Sequence, residues 1–297
     1  MECDEEYHGV ALSAVQLPYS VPASIQRKLR IEPAGSWQGV HLAELWRYRE
    51  LLYFFVWRDI KVRYKQTVLG ALWAVIQPLA TTLLFTIFFG RLGGLSKQVN
   101  GSYSLFVYVG LSLWTFYANA VSLAANSLVG SSHLISKVYF PRLLVPIAAT
   151  LSGLVDFVIA FAFLLVLMVI YHVAPSPQMI AVPVFVAGTV IVAAGAGVLF
   201  SALIVSYRDF RYVITFVIQL WLFATPVLYA LDIVPAQWRL IYALNPMVGM
   251  IVGFRSAVLG GPWPADLVVT GFAAAGILLV VAIRYFTTVE RRFADVI

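Results

Sequence analysis

Charge is scarce in this chain and cysteine nearly absent. Of the 297 residues only 11% are Asp, Glu, Lys or Arg, against about a quarter in an ordinary soluble domain. Hydrophobic residues make up 61% and mean hydropathy is +0.88, so there are too few charges to clothe a globule of this size in water. The single cysteine, Cys3, excludes an internal disulfide and a metal site built from a cysteine cluster. Histidines are few and scattered: His8, His41, His133 and His172. No His-Glu-x-x-His, paired-aspartate motif or Ser-x-x-Lys arrangement occurs, so no catalytic residue, metal ligand set or cofactor site is assigned. A phosphate-cradling loop needs Gly-x-x-x-x-Gly-Lys-Ser/Thr. Here Lys28, Lys61, Lys65, Lys97 and Lys137 all follow residues other than glycine, so energy for uphill transport would have to come from another polypeptide. The opening Met1-Glu2-Cys3-Asp4-Glu5-Glu6 lacks the basic and apolar regions of a signal peptide, so no cleavage is expected and the first membrane helix should direct insertion.

What the chain does have is long apolar runs: residues 69–89, 105–123, 147–169, 184–205, 213–229 and 267–286. A helix rises about 1.5 Å per residue, so some 20 such residues cross a hydrocarbon core of about 30 Å. All but four of the 20 lysines and arginines lie on one set of alternating faces; the exceptions are Arg91, Lys97, Arg239 and Arg255. Cytoplasmic flanks are the basic ones. A six-span α-helical protein of the bacterial inner membrane is therefore expected, with both termini cytoplasmic. The net charge of +6 reflects this topology and an affinity for anionic lipid rather than nucleic-acid binding.

Residues 1–40, with Pro18, Pro22 and Pro33 and no sustained period, read as a cytoplasmic arm. Residues 41–66 predict a separate amphipathic helix: Trp46, Tyr53, Trp57, Ile60 and Tyr64 share one face, with Arg47, Arg58, Lys61 and Lys65 on a neighbouring one. An aromatic stripe bordered by cations suits a helix at headgroup level. Residues 67–297 form the transmembrane domain. Its cytoplasmic loop 126–146 is far longer than the usual 2–8-residue helix connector; it predicts a short amphipathic helix over 127–139, ahead of Phe140-Pro141-Arg142, that offers side chains to a cytoplasmic partner. The outer gap 230–266 contains an apolar run too short to span, broken by Pro226, Pro235 and Asn245-Pro246. It predicts two short re-entrant helices, about 235–244 and 247–258, dipping into the outer leaflet. Arg239 and Arg255 would sit there near phosphates or act as snorkelling anchors.

Asp156 is the one ionisable residue well inside a span. An intramembrane carboxylate is costly and by default functional; a structural Asp satisfied by another helix is the competing reading. Rings are plentiful, at 14% of the chain. Trp73, Phe85, Phe88, Trp114, Phe116, Tyr117, Trp221, Phe223 and Tyr229 are candidates to line a path through the protein, beside lipid-facing belts.

The run Trp57-Arg58-Asp59-Ile60-Lys61-Val62-Arg63-Tyr64-Lys65-Gln66-Thr67-Val68-Leu69-Gly70-Ala71-Leu72-Trp73-Ala74, followed by Gln77-Pro78-Leu79, resembles the approach to the first span of ABC type-2 permeases. The similarity is to the branch exporting O-antigen, capsule and teichoic acid. Asn126-Ser127-Leu128, the run from Leu134 to Arg142, Tyr207-Arg208-Asp209, Thr225-Pro226-Val227, Asn245-Pro246-Met247 and the ending Glu290 to Ile297 fit as well. The resemblance implies a homodimer with two copies of a soluble nucleotide-binding subunit that carries ATP and Mg²⁺, the chain itself holding no cofactor and being no enzyme. It implies that His133, Leu134, Ile135, Ser136, Lys137, Val138, Tyr139, Phe140 and Arg142 form the coupling region. Arg58, Lys61, Arg63 and Lys65 would attract the phosphates of an undecaprenyl-linked glycan, and Arg239, Asn245, Pro246 and Arg255 would belong to the re-entrant pair. An exporter of a small lipid or drug is the alternative on the same fold; a membrane enzyme of envelope glycan biosynthesis or a passive channel would need a different chemistry.

Overall fold

In lipid every backbone N–H and C=O must find its partner inside the protein, which favours helices. In the computed structural model, which describes residues 46–65, 70–99 and 101–290, no strand occurs among the described residues. All of them fall in the unit Val40–Ile297. The arm expected over 1–40, the residues 41–45 and 66–69, and the end 291–297 lie outside the described residues.

Helix α1 is Arg49–Lys65. Helix α2, Gly70–Phe85, continues as a π-helical segment, Thr86–Leu92. Then follow α3, Tyr103–Gly130, and the short α4, Ser132–Lys137. Helices α5, Leu144–Ser152, and α6, Leu154–Ile170, join at Gly153. The remainder are α7, Val182–Ser206; α8, Phe210–Phe223; α9, Arg239–Ala243; α10, Pro246–Leu259; and α11, Ala265–Val289.

Among the described residues, five stretches are long and apolar enough to cross a membrane: Gly70–Leu92, Tyr103–Gly130, Leu144–Ile170, Pro177–Ser206 and Ala265–Val289. They match the first four and the last of the six expected spans. The expected fifth, 213–229, differs. Its helix α8 has 14 residues, roughly 21 Å at the helical rise and short of the about 30 Å core. It stops at Phe223 because Pro226 disfavours helical backbone at the residue before it, and the chain turns through Thr225 and Val227 instead. Helix α3 runs seven residues past the expected end at 123, since Ser127 bonds its hydroxyl back to the Ala124 carbonyl at 2.7 Å without breaking the helix. The long connector therefore shrinks to 131–143.

Of the two expected re-entrant helices, the second is α10. Asn245 caps it, its side chain accepting from the Met247 N–H, with Pro246 in the first turn where no N–H is needed. The first breaks into the turns Leu231–Ile233 and Ala236–Trp238 and the five-residue α9.

Helix α3 is the axis of the bundle. Its most apolar stretch is 78% buried, against 11% for Gly70–Leu92. It packs on α7, which packs on α11, while α10 wedges against α11, α7 and α3. Small residues permit these approaches: a Cβ at Gly197 would lie 2.4 Å from the Ala124 Cβ, and one at Gly249 2.4 Å from the Leu267 carbonyl oxygen. Tyr108, Leu111, Phe157, Phe185 and Phe254 fill the main core. A second cluster at the other end joins Phe55, Leu128, Phe140, Leu144, Val198 and Phe286. Gly249→Val is expected to force α10 off α11, at a cost of about 1–3 kcal/mol, read as a lower unfolding midpoint in detergent and a smaller monodisperse fraction on size exclusion.

Candidate functional site

Asp156 lies in the first turn of α6, where a helix N-terminus favours a carboxylate. Its partners come from the last turn of α1. Arg63 Nη1 donates to one carboxylate oxygen and the Tyr64 hydroxyl to the other. Arg63 Nη2 also reaches Ser152 Oγ at 3.3 Å. Burial first, and the bond to Asp156 second, push the Tyr64 phenol well above its ordinary value, so it stays a neutral donor. The pair is only partly withdrawn from solvent, with side chains 25% and 20% exposed. Asp156 thus has partners on another helix.

This pairing divides the basic cluster of α1. Arg63 turns inward to Asp156, whereas Lys61 and Lys65 face outward. Arg58 bonds Asp59 at 2.9 Å and lies 5.0 Å over the Phe55 ring. Trp46, Tyr53 and Trp57 of the aromatic stripe are exposed, and the opposite face sends Phe55 into the second core cluster.

Beside the pair a cavity of about 190 Å³ opens between α1, α2, α3 and α6. Trp73, Phe116 and Phe157 form its apolar walls, and Arg63, Asp156, Gln77, Thr115 and Asn119 its polar lining. Sequence reasoning did not find Gln77, Thr115 or Asn119. The signal was available, since Ser112, Thr115 and Asn119 recur at spacings of three and four inside an apolar span and so share one face. A second concavity, of about 560 Å³, lies where α3, α4, α7 and α8 meet, lined by Ser132, Arg208, Asp209, Arg211 and Tyr212 among others.

The connector that holds α4 has two faces. Leu134 and Ile135 pack on the second core cluster, and Phe140, only 5% exposed, meets Phe55 edge-on at 5.3 Å. Arg142 Nη1 donates to the Glu290 carbonyl at 2.7 Å, tying the connector to the end of α11. His133, Lys137, Val138 and Tyr139 point outward, with Tyr139 90% exposed. The geometry therefore separates the expected coupling residues into a displayed set and an anchoring set that includes Phe140 and Arg142. The side chain of Ser136 lies outside the description.

The aromatic candidates also separate. Trp114, Phe116 and Tyr117 are buried inside the helix bundle; Trp73, Phe88 and Phe223 are exposed, and Phe85 packs edge-on against Phe89. Trp221 donates to Asn245 Oδ1 at 3.1 Å. Tyr229 bonds the Phe223 carbonyl and pairs hydroxyl to hydroxyl with Tyr242. Asn245 also donates to the Ala224 carbonyl and to Thr225 Oγ1, so it fastens α10 to the end of α8.

Arg239 reaches the Asp232 carboxylate at 3.6 Å. Arg255 is neither a snorkelling anchor nor open to phosphate. It is 8% exposed, with its guanidinium 3.6 Å from the centroid of Phe106 and Nη2 donating to the Val227 carbonyl at 2.9 Å. Gly110 makes room for it, since a Cβ there would sit 2.7 Å from Nη2.

A bundle of apolar, multiply crossing helices with an exposed hairpin at one end defines a multi-pass membrane protein. The model of the ABC-2 type transporter family matches residues 50–259. The chain belongs to the ABC-2 type transporter family, whose members are membrane subunits of transporters. The O-antigen export system permease protein RfbA of Klebsiella pneumoniae is 28% identical over 249 residues, covering 84% of this chain and 95% of that protein. RfbA of Myxococcus xanthus is 29% identical over 255 residues, covering 85% and 97%. The inner membrane transport permease YadH of Escherichia coli (strain K12) is 30% identical over 193 residues, covering 63% and 75%.

Removing one partner of the ion pair strands the other. Asp156→Ala is expected to cost about 1–3 kcal/mol, between a surface and a fully buried pair. The double variant Arg63→Met/Asp156→Leu should recover part of that loss, as read by thermal unfolding of the purified protein.

Proposed function

We propose that this chain is the permease subunit of an ATP-driven exporter that moves a lipid-linked polysaccharide of the O-antigen kind across the bacterial inner membrane. The observation that carries the reading is the extent of similarity to the O-antigen export permeases, which spans 84–85% of this chain and 95–97% of theirs. In this reading two copies of the chain form the pore and each receives one nucleotide-binding subunit, which holds ATP and Mg²⁺.

The displayed residues of the connector, His133, Lys137, Val138 and Tyr139, are the docking surface for that subunit. Their support is rigid: Phe140 is held by Phe55, and Arg142 by the end of α11. A push on the hairpin would thus pass to α1, α5 and α11 together. The hairpin end is taken as cytoplasmic on the basic asymmetry of the flanks, with both termini on that side. Lys61 and Lys65, exposed on α1, are the cations free to meet the phosphates of an undecaprenyl-linked substrate. Binding of ATP drives transport only through contacts that differ between two states of the dimer, and the hairpin is where such contacts would be made.

Deleting the gene should remove the glycan from the cell surface while lipid-linked glycan accumulates inside. With the ABC ATPase of the same gene cluster co-expressed, Tyr139→Glu and Lys137→Glu should weaken co-purification by at least about tenfold with the permease's unfolding midpoint unchanged. Phe140→Ala should instead lower that midpoint, by about 3–5 kcal/mol for a buried ring. If surface glycan is unaffected by deletion, or no ATPase co-purifies, the proposal fails.

A further inference from the structure

We propose that the cavity between α1, α2, α3 and α6 is a binding site for one uncharged pyranose ring. The inference rests on the exporter reading for the source of that ring, a unit of the exported glycan, and on the cavity itself for the chemistry.

Three polar side chains that face the cavity, Gln77, Thr115 and Asn119, make no side-chain hydrogen bond among the described residues. Gln77 is exposed and Thr115 and Asn119 are half-buried, so their donors and acceptors are open to whatever enters the cavity. Buried hydroxyls nearby instead bond back to their own helix, as Ser112 does to the Val109 carbonyl and Thr82 to the Pro78 carbonyl.

Charge selects what those contents are. Among the described residues Arg63 is the cation that lines the cavity, and Asp156 pairs with it at contact distance. A phosphate entering here would meet a carboxylate and no net positive charge, so the site disfavours an anion. A hydroxylated neutral ligand faces the opposite situation. The amides of Gln77 and Asn119 each donate and accept, the Thr115 hydroxyl does both, and Asp156 has lone pairs to spare. Trp73, Phe116 and Phe157 offer apolar faces for the CH side of a ring. The volume, about 190 Å³, is below the ~300–1,000 Å³ of drug-sized sites, which suits a single ring and not a stretch of polymer. Trp73, more than half exposed, stands at the mouth.

The test uses the full chain in nanodiscs without the ATPase, with D-mannose, D-galactose, L-rhamnose and inorganic phosphate as separate probes. Saturation-transfer NMR reports binding, and unfolding midpoints report integrity. At least one sugar should bind the native protein, and Asn119→Leu or Gln77→Leu should weaken it about tenfold. Thr115→Val, which removes only a hydroxyl, gives a smaller loss and guards against misfolding of the larger changes. Asp156→Asn should weaken the sugar and let phosphate compete. No sugar binding to the native protein overturns the proposal, as does binding that the three variants leave unchanged, or phosphate displacing the sugar from the native site. Surface glycan in a deletion strain is scored separately. Glycan lost without sugar binding refutes the site and spares the exporter reading; sugar bound with glycan retained refutes the exporter reading and spares the site.

Discussion

A carboxylate set in an apolar helix has to be neutralised, and the way Asp156 is neutralised organises one whole end of this molecule. Its partners, Arg63 and Tyr64, are supplied by a helix more than ninety residues earlier in the chain. That pairing fastens α1 to α6. With α1 held, Phe55 is presented to Phe140, and the connector carrying α4 gains a hydrophobic floor. The same ion pair leaves the neighbouring cavity with polar groups but without net charge. One interaction therefore positions both the surface assigned to the ATPase and the pocket assigned to a sugar.

The opposite end holds a second inward-turned charge under different rules. Among the described residues Arg255 has no carboxylate beside it; the Phe106 ring and the Val227 carbonyl receive its guanidinium. A delocalised, weakly hydrated cation tolerates this better than an ammonium would. The consequence is architectural: α10 is tied through Arg255 to the turn after α8, and through Asn245 to the end of α8 itself. The break in the fifth expected span is thus covered by contacts from the re-entrant helix.

Much of the fold was legible in the residues. Long apolar runs punctuated by basic clusters announce membrane helices because hydrocarbon admits little else, and α10 was visible from Asn245-Pro246 and the apolar run behind it. The helix of the fifth expected span is shorter than its apolar run because hydropathy continues past Phe223 whereas the chain turns ahead of Pro226. At the candidate site, Asp156 stood out by its cost in lipid, yet nothing local could name its partner. Arg63 joined Arg58, Lys61 and Lys65 as one cationic group through the family resemblance, and it is the distant carboxylate that separates them. Gln77, Thr115 and Asn119 were overlooked because scattered polar residues in a span usually satisfy themselves on their own helix, as Thr82 and Ser112 do.

By itself the sequence determined that the chain crosses a membrane several times, that a helix begins at Asn245-Pro246, and, through ordered motifs along most of its length, its family. Those properties depend on local composition and on the energy of placing each segment in lipid or water, and both are read residue by residue. Only the tertiary structure decided which cations are spoken for, that Arg255 is buried, that Phe140 anchors while Tyr139 is displayed, and that Gln77, Thr115 and Asn119 line one cavity. Such facts depend on which helix faces which, a choice set by small residues such as Gly110, Gly197 and Gly249 and by pairings far apart in the chain.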